Sequence, residues 1–391
     1  MIFTNNKISA KTREPEVLLD NRLGKDIQRM LYPVNLILSL FLSSKYTIKD
    51  DYITPKGKKF YIATFFFILL LYGLGINRVF FEDIEDTMGT DNRDIVTIIF
   101  SFAFVFYSIG FTLIFVLNII HSDCSISLIL TLQKVFNSLD FSDKIVAITR
   151  WNWFAICIAF GTNVFLYMLY YVTYHDFNPV DLVMDIMFIT FDINLVYGIL
   201  VITWLRKILQ KWIDDVLAFE DGDEEFYSEY FQVYRNILNA YNCYKTLFQL
   251  LVLFHTADTF FRCLCYFAII LQILQMPDST VYEEMVQYTV VKVVAAVWQI
   301  KDVLLVVMQC IECEKFYMAV EDVETTCIQR LKKKQHLAAE ERLCSSVLQA
   351  NRTSYCKMSA CGLFDIDATL PLDLIGLLTN YIVIMLQSFF L

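Results

Sequence analysis

Seven stretches of about 20 mostly apolar residues recur along the chain, and each is long enough to cross the hydrocarbon core of a bilayer as one helix. They lie at roughly 60–80, 95–120, 151–172, 183–205, 250–274, 288–311 and 372–391. The alternating segments of about 10 residues that indicate strands of a membrane barrel are not seen. The sequence therefore predicts an all-α polytopic membrane protein with seven transmembrane helices.

Composition agrees with that fold and argues against two classes of function. Hydrophobic residues make up 57% of the 391 residues and charged residues only 19%. Soluble domains average about 45–50% apolar residues and about 25% charged residues. The net charge of −10 argues against nucleic acid as a partner, because binding it requires a basic surface. The glycine loops, GxSxG elbows and HExxH motifs of common enzymes do not occur, so we expect no enzymatic activity and no cofactor.

The 11 cysteines do not form a recognisable disulfide or metal framework. None falls in a segment that we place outside the cell, where disulfides form. Cys310 and Cys313 have the CxxC spacing of a zinc-ligand pair, but no second pair follows at the required distance. We therefore expect buried thiols on a helix and no metal site.

The distribution of lysine and arginine over the loops sets the orientation. Residues 1–59 carry 11 of the 32, and the even-numbered loops raise the total on that side to 27. The odd-numbered loops contain only Arg93. Because lysine and arginine concentrate on the cytosolic side, the N-terminus is predicted to be cytosolic and Leu391 to end at the outer face.

The chain divides into four regions on this topology. They are the cytosolic N-terminal segment 1–59, the six-helix bundle 60–311, the cytosolic helical region 312–369 and the seventh helix 370–391. Within the first region, Leu31–Ser44 is apolar over only about 14 residues, which is short for a span, so we predict an interfacial or re-entrant helix. The cytosolic loop 206–249 is predicted as two helices broken at Glu220–Glu225.

Charged side chains inside membrane spans are costly and therefore informative. Asp258 and Arg262 are four residues apart and share a helix face, either as an internally neutralised pair or as the polar wall of a pocket. Lys301 and Asp302 are adjacent and point about 100° apart, so each is expected to need a partner elsewhere. Asp192 lies deep in the fourth span and would serve either a ligand pocket or an interhelical hydrogen bond.

Aromatic residues crowd the outer halves of the third and sixth spans. Tyr167, Tyr170 and Trp298 lie deeper than their aromatic neighbours. They would suit a pocket that holds an apolar or amphipathic ligand by rings and a few hydrogen bonds. The alternative is an interfacial aromatic belt that anchors the helices.

The last span carries no charge after residue 373 but contains a glutamine, Gln387. Ile384, Gln387 and Leu391 lie at i, i+3 and i+7 and so form one stripe. A glutamine deep in lipid is unfavourable, and two arrangements would satisfy its amide. Identical helices from several copies could surround a water-filled axis, or the amide could hydrogen-bond to a neighbouring helix.

At these residues the chain resembles the insect gustatory receptor family, whose seventh helix carries Thr-Tyr, five apolar residues and Gln-Phe. Tyr381, Ile382–Leu386 and Gln387 match the tyrosine, the apolar run and the glutamine in register. Two positions depart from the family pattern. Asn380 stands in place of the threonine and Ser388 in place of the phenylalanine.

The resemblance implies a tastant-gated, non-selective cation channel in the plasma membrane of chemosensory neurons. Four copies, or this chain with related subunits, would assemble in the membrane lipid. The pore and gate residues would be Tyr381, Ile384, Gln387, Ser388 and Leu391, with Ile384 or Leu391 replacing the missing phenylalanine. The ligand-binding residues would be Tyr167, Tyr170, Asp192, Arg262 and Trp298. Sugar-sensing members usually carry an acidic residue where Ile382 stands here, which favours a bitter or plant-compound ligand.

Three other classes fit part of the pattern. The related odorant receptors share the architecture. A G-protein-coupled receptor has seven helices but an N-terminus outside the cell, and the DRY-like and NPxxY motifs typical of that class are missing from the sequence. A secondary transporter would usually show internal repeats and broken helices, which we do not find in the sequence.

An epitope tag at the N-terminus should be hidden from antibody on intact cells and become accessible once the membrane is permeabilised, because residues 1–59 carry most of the orienting charge. Immunofluorescence before and after permeabilisation measures this. A tag placed after Leu391 is the control and should be stained on intact cells. Staining of the N-terminal tag on intact cells would contradict the orientation and favour a G-protein-coupled receptor.

Overall fold

The computed structural model of the chain describes residues 21–81, 93–174, 179–218, 224–274, 282–332 and 338–390. Its helices are α1 (Lys25–Leu40), α2 (Lys58–Phe81), α3 (Arg93–Ile120), α4 (Ser122–Ser138), α5 (Ser142–Tyr174), α6 (Pro179–Ala218), α7 (Glu224–Leu274), α8 (Tyr282–Lys332), α9 (Ala338–Ser354) and α10 (Leu370–Phe390). Two short strands, β1 (Thr47–Lys49) and β2 (Tyr52–Thr54), pair antiparallel. The predicted fold class, an all-α protein with seven membrane helices, is confirmed.

Each predicted span falls within one helix: α2, α3, α5, α6, α7, α8 and α10. Within the described residues, four stretches are long and apolar enough to cross a membrane, namely Lys144–Leu169, Ile189–Ala218, Glu224–Ala268 and Leu370–Ser388. Val105–Ile120 and Ser122–Ser138 meet at a 66° bend and make a fifth if the pair is one broken span. The outer ends of α2 and α8 include side chains outside the described part of the chain, which shortens the apolar stretch that can be assessed there.

Three helices extend far beyond a bilayer. Helix α6 has 40 residues, and α7 and α8 have 51 each, so at about 1.5 Å per residue they are about 60 Å and about 77 Å long. On the predicted cytosolic side, α7 packs with α4 and α9, and α8 packs with α9. The predicted break at Glu220–Glu225 corresponds to the end of α6 at Ala218 and the start of α7 at Glu224.

Large aromatic side chains form the core of this cytosolic layer. The buried rings are Trp204, Trp212, Tyr234, Tyr241, Tyr244, Phe248, Phe316 and Tyr317. The polar atoms of the tryptophans and tyrosines have hydrogen-bond partners, as when Trp212 Nε1 donates to the Tyr230 carbonyl at 2.9 Å and the Tyr317 hydroxyl donates to the Ile366 carbonyl at 3.0 Å. A ring buried with its polar atom satisfied adds apolar area without the desolvation penalty. The layer thereby holds the long helices in fixed register below the membrane.

Helix α1 contains the apolar segment Leu31–Ser44 up to Leu40 and packs against α5 and α6. Leu31 and Val34 are fully buried, and Asn152 of α5 donates its side-chain amide to the Met30 carbonyl at 2.9 Å. At 16 residues the helix is about 24 Å long. This length fits the interfacial or re-entrant placement, which stays a prediction.

Lys45 follows α1 and is buried, although the sequence suggested an ordinary cytosolic lysine. Its ammonium donates to the Asn118 side chain at 2.9 Å and lies 5.7 Å from the Phe248 ring centroid. Burial lowers the pKa of Lys45 to about 8. A hydropathy pattern gives no sign of such a position, because the burial comes from tertiary packing of α3 and α7.

Gly110 marks the closest approach of α3 to α6 and α7. A Cβ at this position would overlap the Phe191 ring and would lie 2.7 Å from Phe254 Cζ. A methyl group therefore cannot enter without moving both rings.

We expect Gly110→Ala to lower the free energy of unfolding by about 1–3 kcal/mol, the usual cost of overfilling a packed core. Thermal unfolding of the purified full chain in detergent measures this. Gly73→Ala on α2 is the matched control, since a Cβ there meets no atom within 4 Å and a helical alanine is expected to be neutral or to stabilise by up to about 1 kcal/mol. Equal stability of the two variants would contradict the close packing of α3.

Candidate ligand cluster and candidate pore helix

Five charged side chains of α6, α7 and α8 form one chain of alternating sign inside the bundle. Lys301 pairs with Asp192, and its Nζ lies 3.1 Å from Asp302 Oδ1. Arg262 Nη1 lies 2.9 Å from Asp302 Oδ2, and the guanidinium also pairs with Asp258 one turn earlier. The three carboxylates and Arg262 are no more than 8% exposed. Burial without such partners would be strongly unfavourable.

The pairing of Asp258 with Arg262 follows the prediction from their spacing. The expectation that Lys301 and Asp302 would not pair is wrong, because the flexible four-carbon stem of Lys301 bends its ammonium back towards the neighbouring carboxylate. Each of them also has the expected partner on another helix, Asp192 for Lys301 and Arg262 for Asp302. Asp192 is thus part of an interhelical network rather than an open cavity wall.

Two polar residues that sequence reasoning missed join this cluster. Asn163 of α5 donates to Asp192 Oδ2 at 2.8 Å and accepts from Lys301 at 3.1 Å. His255 of α7 is 1% exposed, and neither ring nitrogen has a hydrogen-bond partner within the described residues. Both residues lie inside predicted membrane spans, and a polar side chain in such a span is the signal by which each could have been flagged.

The predicted aromatic residues lie beside the charges. Tyr167 and Trp298 meet edge to face with ring centroids 4.7 Å apart. The Lys301 ammonium lies 5.4 Å from the Trp298 ring, and the Arg262 guanidinium lies 5.3 Å from the ring of Tyr107 on α3. These distances allow favourable cation–π contact. The side chain of the remaining predicted ligand residue, Tyr170, lies outside the described part of the chain.

The structure therefore brings four of the five predicted ligand residues into one connected group, from Tyr167 through Trp298 and the ion chain to Arg262. We name Tyr167, Asp192, Arg262, Trp298, Lys301 and Asp302 the ligand cluster. It combines aromatic faces with buried charges of both signs, the chemistry that holds a small amphipathic molecule. Among the described residues no group of histidine, cysteine and acidic side chains is arranged to hold a metal ion, and Cys310 and Cys313 are buried on α8.

Helix α10 packs on α7 and α8 along one narrow face. Leu370, Leu374 and Leu378 are buried at intervals of four residues, and the Tyr381 ring meets Phe260 of α7 edge to face at 5.6 Å. Only 17% of the apolar stretch is buried, against 94% for α6. Helix α6 is therefore the centre of the bundle and α10 lies on its outside.

Gln387 lies on the uncovered side of α10. It follows Leu374 by 13 residues, which at about 100° per residue places it about 140° from the packed face. Gln387 and Ser388 are exposed, and Ile384 is 57% exposed. The Ser388 hydroxyl donates to the Met385 carbonyl at 2.9 Å within its own helix. Leu391 lies outside the described residues.

The exposed Gln387 amide has no hydrogen-bond partner among the described residues. In lipid such a group is expensive, so the face requires either water or a second polar surface. The same face carries Val383 and Ile384, which are about half exposed, and the exposed Asn380 seven residues before Gln387. This arrangement makes α10 the candidate pore helix.

Comparison with known proteins identifies the fold. No family model matches the chain, and no curated protein matches its sequence. The solved structure of the insect olfactory receptor OR5 from Machilis hrabei is similar, with a TM-score of 0.60 over 93% of this chain and 98% of that chain. Sequence identity is 12%, so the similarity shows the architecture and leaves ligand and subfamily open.

We expect Lys301→Met to lower the free energy of unfolding by about 3–5 kcal/mol, because it leaves the buried Asp192 carboxylate without its cation. Adding Asp192→Asn should restore most of that loss. Thermal unfolding of the purified variants measures both effects.

The matched control is Arg342→Ala, which breaks an exposed pair with Glu224 and should change stability by no more than about 1 kcal/mol. A double variant as unstable as Lys301→Met would show that the ion chain does not organise the bundle.

Proposed function

We propose that the chain is an insect gustatory receptor subunit that acts as a tastant-gated, non-selective cation channel in the plasma membrane of chemosensory neurons. The observation that carries this proposal is the amide-bearing, uncovered face of α10. The fold similarity to an insect olfactory receptor supports membership of the wider chemoreceptor group. The match of Tyr381, Ile382–Leu386 and Gln387 to the gustatory terminal motif supports the subfamily.

Four like chains would place their α10 helices around one axis. The Gln387 amides would then form a polar ring that contacts permeating cations and water, as pore linings do. The half-exposed Ile384 lies one turn away on the same side and would provide the hydrophobic constriction that closes the pore. In this assembly each side of α10 has a partner, since its leucine face meets α7 and α8 and its amide face meets water.

The ligand cluster would form the binding site of each subunit. Its charges are paired and its rings are packed, so a ligand would bind by taking over some of these contacts. A ligand that binds one arrangement of the cluster better than the other shifts the population towards it. Phe260 contacts Tyr381 of α10 and lies two residues from Arg262 on α7. A movement of this part of α7 would therefore be transmitted from the ligand cluster to the pore helix.

Ligand class follows from the motif and from the cluster. Ile382 replaces the acidic residue usual in sugar-sensing members, which favours a bitter or plant compound. The cluster residues Lys301, Arg262 and Trp298 would bind an amphipathic molecule with a polar group and an aromatic or aliphatic body. The chain would act as a homotetramer or with related subunits, without a cofactor and without enzymatic activity.

A second candidate is an odorant-type chemoreceptor subunit, because the similar solved structure is an olfactory receptor. Current recording from a heterologous cell with panels of sugars, plant alkaloids and volatile odorants separates the two. A response limited to odorants would identify the chain as an odorant-type subunit and would not contradict the channel mechanism.

We expect Gln387→Glu to change the ligand-evoked current by raising the permeability of divalent relative to monovalent cations, since a ring of carboxylates at the pore axis attracts multivalent cations. Reversal potentials measured in solutions of different cation content report this ratio.

The same amide-to-carboxylate change at Gln349, exposed on the cytosolic helix α9, serves as the matched control and should leave the ratio unchanged. If Gln387→Glu conducts with wild-type selectivity and amplitude, Gln387 does not line the conduction pathway and the pore proposal fails.

A further inference from the structure

A cavity of about 400 Å³ opens on the cytosolic side of the bundle, away from the ligand cluster and from α10's uncovered face. One wall is the α7 segment that carries Asn242, Lys245, Thr246 and Gln249, and the other is the chain segment after α9 that carries Cys356 and Lys357. None of the residues that line the cavity is acidic, although the protein has a net charge of −10. The cavity is therefore a local cationic and hydrogen-bonding surface.

The second wall is held rigidly. Residues 358–366 form a tight hairpin in which Ile366 donates to the Met358 carbonyl and Ala360 to the Phe364 carbonyl, both at 2.8 Å. Gly362 takes φ +79° at the turn, a conformation that favours glycine. The Met358 amide donates to the buried Tyr317 hydroxyl at 3.2 Å. The base of the hairpin is thus held by hydrogen bonds, while its tip at residues 361–363 is exposed.

Lys245 supplies a positive charge, and its ammonium lies 5.1 Å from the ring of Tyr241. Its ammonium contacts the Cys356 carbonyl at 3.4 Å and the Cys356 sulfur at 2.9 Å, and no carboxylate pairs with it within the described residues. Lys357 has two distant carboxylate partners, because Glu314 and Asp367 each lie 3.8 Å from its Nζ. A carbonyl and a thiol are weak partners for a group with three donors, so Lys245 retains capacity for an anion.

Two features of the chain place the cavity level with the lipid headgroups of the inner leaflet. Lys245 precedes Leu250, where the apolar stretch of α7 begins, by five residues or about 7.5 Å of helix. The hairpin ends only four residues before α10, the seventh predicted span, begins at Leu370. Leu363 at its tip is 72% exposed and Leu372 on α10 is 71% exposed, which are positions suited to contact with acyl chains.

From these observations we propose that the cavity binds the phosphate of an anionic phospholipid of the inner leaflet. Lys245 would provide the main ion pair, and Gln249 and Lys357 would provide further donors to the phosphate oxygens. Basic residues directly cytosolic of a membrane span are the usual docking point for such headgroups. A free phosphate shares this chemistry, but the exposed Leu363, next to the cavity-lining Gly362, and the exposed Leu372 favour the lipid.

The test uses the full chain in nanodiscs of phosphatidylcholine, with or without added phosphatidylinositol phosphate. Alkylation of Cys356 by a thiol reagent is followed by peptide mass spectrometry, because this exposed thiol lines the cavity and touches Lys245. Ser138→Cys, which places a thiol at an exposed position of α4 outside the predicted spans, is the control. Native mass spectrometry counts the anionic lipids that remain bound.

We expect the anionic lipid to slow alkylation of Cys356 and not of the thiol introduced by Ser138→Cys. Lys245→Gln should weaken retention of the anionic lipid about fivefold, as one lysine contributes near a charged headgroup, and Lys245→Arg should retain it. Lys134→Gln, which removes an exposed lysine of α4 on the same side of the membrane, should have no effect.

Equal retention by Lys245→Gln and the unchanged chain would overturn the proposal, as would an equal loss in Lys134→Gln. Protection of Cys356 by inorganic phosphate alone, at the level given by the lipid, would overturn the assignment to a lipid. These readouts measure lipid binding and do not use ligand-evoked current. Failure of the lipid proposal is therefore distinguishable from failure of the channel proposal.

Discussion

The alternating ion chain from Asp192 to Asp258 is the interaction on which the membrane half of this protein depends. Charged groups in the interior of a bundle require partners at close range, because neither lipid nor packed hydrocarbon can solvate them. Each carboxylate here faces a cation from its own or a neighbouring helix, and each cation contacts two carboxylates. The relative positions of α6, α7 and α8 are thereby fixed, and Asn163 extends the constraint to α5.

This constraint explains why α10 lies outside the bundle. With α6 surrounded by α5, α7 and α8, no place remains in the centre for a further helix. Helix α10 can only lie against the outer surfaces of α7 and α8, and it does so along its leucine stripe. The amide of Gln387 therefore lies on the opposite face of α10. Pairing of the charges inside the bundle thus leaves a polar side chain exposed on its outer surface. Assembly of several copies around a wet axis resolves that problem in the simplest way.

Hydropathy and loop charge were enough to predict the seven helices, although α5 begins at Ser142, nine residues before its predicted span. The helical spacing of Asp258 and Arg262 was enough to predict their pairing. What the sequence could not supply were contacts between residues far apart in the chain. Lys45 is buried by α3 and α7, Asn163 bridges two helices, and Lys301 bends back to Asp302. Periodicity predicts only which face of a helix a residue lies on, whereas tertiary packing decides which atoms its side chain contacts. The predictions for Tyr170 and Leu391 concern side chains outside the described residues.

The central claim is that α10 meets copies of itself, and the copy number of the purified chain tests it most directly. The full-length protein, 45.8 kDa per copy, would be extracted in mild detergent and its molar mass measured by light scattering with the detergent contribution subtracted. The account predicts a protein mass four times that of one chain, either from this chain alone or, with a related subunit present, from a mixed assembly of four. A strictly monomeric particle across detergents and in nanodiscs would contradict it, because the Gln387 face would then lie against lipid.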